Sequence, residues 1–215
     1  MAEGSQKEIE IITEEKLILT EGRDAELFLR YLLNNKGISG IQIVDFGGVE
    51  QLSKALISLK GIEGFDGVTS ILIFRDSEKS SQSACQSVNS SLKAAGLITI
   101  EIKPFIIASQ NNRNIGFGLF PGKDEKGCLY EYGRLEDLCL NIFKDRSNRA
   151  IIKTYIDDFQ NRGKKFVKPH KNELHTLFSF SDTYVGLKMG ETARAGGFDF
   201  DSLLLSPFLE MINQM

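Results

Sequence analysis

Three carboxylates stand where strands should end. Glu21 follows a short apolar run at 16–20, and Asp76 and Glu78 follow a longer one at 68–74. Oxygen ligands of this kind suit Mg²⁺ or Mn²⁺. A metal site for phosphoryl chemistry is therefore one use of these residues; three solvated acids in loops is the other. Glu136 and Asp137 would open a helix, where acids also interact favourably with its positive end. Asp24 can cap a helix by accepting a hydrogen bond from a free backbone N–H. Lys171 could offset negative charge on a phosphate or a transition state, or simply face water. Arg162, Lys164, Lys165, Lys168 and Lys171 form a basic stretch. Such a stretch either holds a nucleic-acid backbone through its phosphates or is solvated.

Other chemistries find little support. The full phosphate-loop pattern is absent around Gly116, Gly118, Gly122 and Lys123, and no G-x-S-x-G nucleophile elbow occurs. His170 and His175 are spaced unlike an H-E-x-x-H zinc pair and read as surface or structural residues. Cys85, Cys128 and Cys139 lack paired spacing, which argues against a disulfide framework and a cysteine zinc site. A reducing cytoplasm is the expected location. No signal-peptide stretch occurs, and no apolar run reaches the roughly 18 residues of a membrane helix. The formal charge of −3 means that any contact with nucleic acid must be local rather than a basic coat.

The elements that must position these residues follow from hydrophobic spacing. Runs at 16–20, 41–46, 68–74 and 97–102 read as strands, and 115–120 reads as a fifth. The third run is almost wholly apolar, as in a strand covered on both faces. Between them, Ala25, Phe28, Leu29, Leu32 and Leu33 make one helical stripe, and Val49, Leu52, Leu56 and Leu59 a second. A third helix is expected over 80–95. This alternation predicts an α/β fold: an open, mostly parallel sheet with helices on both faces. Helices over 135–143, 149–159, 174–178 and 207–212 would form a mainly helical C-terminal extension. The expected division is a flexible start at 1–10, an α/β core at 11–125 and a helical part at 126–215 packed on the same domain. Phe178, Phe180, Phe198, Phe200 and Phe208 are expected in the core rather than as base-stacking platforms. In parallel sheets ligands bind beyond the carboxyl ends of the strands, where Glu21, Asp76 and Glu78 would meet.

Two segments carry a resemblance. Leu17-Ile-Leu-Thr-Glu21-Gly22-Arg23-Asp24 resembles the first motif of the Toprim fold, and Ile71-Leu-Ile-Phe-Arg-Asp76-Ser77-Glu78 resembles the second. Gly47-Gly48 sits where those domains often turn after strand two. Gly116 to Pro121, Gly133 to Leu138, His170 to Thr176 and Ala195 to Asp201 are similar to segments of an uncharacterised bacterial family of small stand-alone Toprim-like proteins. They are distantly similar to nucleases of the overcoming-lysogenization-defect type. The resemblance implies a Toprim-like sheet, Mg²⁺ or Mn²⁺ as cofactor, and a metal-dependent nuclease or phosphodiesterase acting on nucleic acid. It implies Asp76, Glu78 and Glu136 as metal ligands, Glu21 as ligand or general base, and Lys171 as a catalytic charge. Glu78 departs from the pattern, which expects aspartate. That departure keeps a second class open: a non-catalytic module that binds a nucleotide, nucleic acid or protein partner. A homo-oligomer is also left open.

Overall fold

The computed structural model describes residues 11–215. The loose start expected at 1–10 lies outside the described residues. In chain order the elements are β1 (Lys16–Thr20), α1 (Arg23–Asn35), β2 (Gln42–Asp45), α2 (Leu52–Leu59), β3 (Ser70–Asp76) and α3 (Ser81–Ala94). There follow β4 (Ile107–Gln110), β5 (Arg113–Phe120), α4 (Leu135–Ile142), α5 (Arg149–Asn161), α6 (Pro169–Ser179), α7 (Met189–Arg194) and α8 (Ser206–Asn213). The strands form one sheet in the order β2-β1-β3-β5-β4, parallel except for the β4–β5 pair.

Strand residues alternate between the two faces, and each face has its own core. Leu17, Leu19, Ile71 and Ile73 pack with Leu56 of α2 and Val88 of α3. Ile18, Leu72 and Phe74 pack on the other face with Phe28 of α1 and with helices from the C-terminal half, through residues such as Leu138, Leu174 and Phe208. The sheet is therefore covered on both sides, which explains why β1 and β3 read as unbroken apolar runs.

One expected strand is not a strand. Leu97, Ile98 and Ile102 are buried, but 97–102 is irregular. Side-chain amides take the backbone groups that a neighbouring strand would otherwise satisfy. Asn89 on α3 accepts from the Ile102 N–H at 2.9 Å and donates to its carbonyl at 3.0 Å. Gln110 accepts from the Thr99 and Ile100 N–H groups at 2.8 and 3.1 Å. The fourth strand is β4, which turns back through Asn111 and Asn112 into β5. Both asparagines have positive φ, 51° and 60°, as the central pair of a tight hairpin requires.

Two further boundaries move the site. β3 runs two residues beyond the expected end, because Arg75 pairs with Leu119 and Asp76 with Phe120. α6 begins at Pro169, where a proline without an N–H costs a helix nothing. The expected basic stretch is therefore split: Lys171 rides on α6, while Lys164 and Lys165 stay exposed in the connection before it.

Candidate functional site

At the centre of the sheet β1 and β3 are neighbours; the chain continues to β2 on one side and to β5 on the other. Such a reversal opens a crevice outside the carboxyl ends of the two strands, the usual ligand position in parallel sheets. Glu21 follows β1 directly and Asp76 ends β3. The turn after β1 needs Gly22, whose φ is +84°. Asp45, at the end of β2, fixes that turn by accepting from the Gly22 and Gly47 N–H groups, both at 2.8 Å. Glu78 is held from behind: its N–H and carbonyl bond the carbonyl and N–H of Gly133, each at 2.9 Å. Its φ is +55°, a left-handed conformation that costs a non-glycine residue about 1 kcal/mol. Gly133 cannot carry a side chain, because a Cβ there would lie 2.8 Å from Pro121 Cδ.

These devices bring Glu21, Asp76 and Glu78 together. Each offers a carboxylate oxygen within 4.8 Å of the others. Glu21 Oε2 is buried with no hydrogen-bond partner, and the buried Arg75 guanidinium reaches only to 3.7 Å. Burial pushes the Glu21 carboxyl above its ordinary value, against the pull of Arg75 and with the Glu78 charge adding to the rise. Asp76 is pushed up to about 8. Burial is the main cause, and the Glu21, Glu136 and Glu78 charges add to it. One bond opposes it, from the Leu135 N–H to Asp76 Oδ1 at 2.9 Å. Glu78 is ion-paired with Arg134.

The three acids lie in a cleft of about 860 Å³. Glu136, from the first turn of α4, lines the same cleft but is not one of the three gathered oxygen donors. Lys171 and His175 reach it from α6, and Lys168 from the residue before α6; Lys164 and Lys165 are not in its lining. Lys171 donates to Asp24 at 2.9 Å. Burial pulls its pKa down, but Asp24 and the Glu136 and Asp76 charges outweigh this and raise it. Asp24 is thus an ion-pair partner rather than the helix cap its position predicts; the cap of α1 is Gly22, without a side-chain bond. Asp137 caps its own helix by accepting from the Arg134 N–H at 2.8 Å, and its other oxygen meets His170 Nδ1 at 2.6 Å. Burial, with Lys171 nearby, lowers the His175 pKa.

Sequence reasoning missed Arg75, Arg134 and Asp45. Arg75 sits in the acidic motif itself, and a cation in an otherwise apolar strand was the available signal. Arg134 and Asp45 meet their partners only through the fold. Among the phenylalanines expected in the core, Phe178, Phe198, Phe200 and Phe208 are buried, whereas Phe180 is exposed. Among the described residues no helix is long and apolar enough to cross a membrane.

No curated protein and no solved structure matches the chain. A family model does match, over residues 15–215, and the chain belongs to the family that it describes as protein of unknown function (DUF3226).

Proposed function

We propose that the cleft binds Mg²⁺ or Mn²⁺ through Glu21, Asp76 and Glu78 and hydrolyses phosphodiester bonds in nucleic acid. The observation that carries this reading is the gathering of three carboxylate oxygens within 4.8 Å at the sheet's reversal point. Like charges so close repel unless a cation or a proton intervenes. The donor set fits a hard cation, being all oxygen without thiolate or imidazole. Glu21 Oε2 fits it too, as a buried polar oxygen without a hydrogen bond. The resemblance of the Glu21 and Asp76 segments to Toprim motifs supports the same assignment.

When bound, such a cation supplies Lewis acidity, polarising a phosphoryl oxygen and favouring a deprotonated attacking water. The chain's own groups account for the rest. Glu21 would take a proton from the attacking water. Lys171, held by Asp24, offsets negative charge that builds on the phosphoryl oxygens. Glu136 adds negative potential at the cleft wall and so favours the cation.

The Glu78–Arg134 ion pair favours a second reading, a module that binds nucleotide, nucleic acid or protein without turnover. It engages the one carboxylate that departs from the Toprim pattern.

Incubation with single-stranded and duplex DNA and RNA in Mg²⁺ and in Mn²⁺ separates the two. The hydrolase cleaves, better in Mn²⁺, and Glu21→Ala and Asp76→Ala abolish cleavage. Lys171→Ala slows it by roughly 10²-fold and leaves stabilisation by Mn²⁺ intact. The same background from wild type and both carboxylate variants on every substrate contradicts the hydrolase and leaves the module.

A further inference from the structure

We propose that a smaller cavity beside the carboxylates is a stacking subsite for one base of a single-stranded nucleic acid, with Tyr132 as its platform. The placement of the reacting phosphate next to it rests on the hydrolase reading; the binding surface itself does not.

The cavity measures about 310 Å³, and its walls include Lys79, Tyr132, Val167 and His170. Glu78 and Arg134 line both this cavity and the larger cleft. The Glu78–Arg134 pair is therefore a shared wall, and a ligand in the small cavity lies next to the gathered carboxylates.

Tyr132 is 63% exposed, and its ring stacks on no other ring among the described residues. Its backbone is nonetheless fixed on both sides. The Ser81 N–H bonds the Glu131 carbonyl at 2.7 Å, and Gly133 exchanges two hydrogen bonds with Glu78. An exposed ring on an anchored segment gives a flat apolar surface at little cost in ordering, the property that sequence-tolerant base stacking uses. Val167, 93% exposed, adds a second apolar surface to the same cavity.

The charges around the ring suit a phosphate backbone. Lys79 is exposed and forms no ion pair among the described residues. Arg134 spends one nitrogen on Glu78 and has further N–H donors. The formal charge of −3 makes any contact with a polyanion a local one. The occupant must be single-stranded, because a base can lie on a tyrosine ring only when it is unstacked from its neighbours.

Anisotropy titrations with labelled oligo-uridine and oligo-thymidine in Ca²⁺ test the assignment. Wild type binds, Tyr132→Ala weakens binding by roughly 10- to 100-fold, and Tyr132→Phe stays within about 2-fold because the ring persists. Loss on one polymer or on both supports the subsite and identifies whether RNA, DNA or either occupies it. Melting temperatures with and without Mn²⁺ are read on the same three proteins, and the shift is the same in all. A missing Mn²⁺ shift with retained Tyr132 dependence removes the metal reading and keeps the subsite. Equal binding by wild type and Tyr132→Ala, or no binding of either polymer by wild type, overturns the subsite.

Discussion

Two regions of this molecule treat polar groups in opposite ways. Around 89–113, side-chain amides satisfy backbone groups that no strand pairs. Asn89 bonds both the N–H and the carbonyl of Ile102, and Gln110 bonds the N–H and the carbonyl of Ile100. At the ends of β1 and β3 the opposite holds. Thr20 Oγ1, Glu21 Oε2 and Ser77 Oγ are buried without hydrogen-bond partners, as Ser70 Oγ and Thr192 Oγ1 are elsewhere, but here three carboxylates are also pressed together. Among the non-glycine residues with positive φ, Asn111 and Asn112 are of a type that tolerates it in a tight turn, whereas Phe105 and Glu78 are not. Polar groups that satisfy one another build the fold. An unpaired buried oxygen beside gathered carboxylates carries a cost that a bound cation would relieve.

The largest effect is expected in the satisfied region. Asn89→Ala leaves the Ile102 N–H and carbonyl without their side-chain partner in a buried setting. Stability should fall by about 2–4 kcal/mol, from two lost buried bonds, in urea denaturation. A loss below about 1 kcal/mol would mean that water replaces the amide and that the region is less closed than the comparison requires.

A smaller effect of opposite sign is expected in the unsatisfied region. The Asp76 carboxyl sits at about 8 rather than 3.8. Between those values the folded protein keeps a proton that the unfolded chain has released. Metal-free stability must therefore fall as pH rises through that window and level off above it. Asp76→Asn keeps the oxygen that accepts from Leu135 but removes the ionisation. In EDTA it should flatten the pH profile and stabilise the protein by about 1–3 kcal/mol between pH 5 and 6, where the difference in bound protons has built up over only one to two pH units. It should also abolish stabilisation by Mn²⁺. A destabilised Asp76→Asn with an unchanged pH profile would make Asp76 a satisfied structural residue and erase the contrast between the two regions.

The satisfied region was the less legible of the two in the sequence. β1, β3 and the acids that follow them could be read, because a strand buried on both faces leaves an unbroken apolar run and the acid after it marks the rim. The stripe of Ala25, Phe28, Leu29, Leu32 and Leu33 gave α1 for the same local reason. Residues 97–102 deceived because they are apolar and buried, while the groups that deny them a strand partner lie on other elements. Asn89 is thirteen residues from Ile102. Asn111-Asn112 was a readable turn signal and would have moved the fourth strand to its place. Pro169 was a readable helix start and would have put Lys171 on α6. The Glu78–Arg134 pair spans fifty-six residues, and no local pattern encodes a contact that only the closed sheet creates.

The most direct test of the central claim is a crystal grown or soaked with Mn²⁺ and measured at the manganese absorption edge. The account predicts an anomalous peak in the cleft with Glu21, Asp76 and Glu78 oxygens at about 2 Å from it. An empty cleft at millimolar Mn²⁺, with Asp76 still bonded to Leu135 and Glu78 still paired with Arg134, would contradict it.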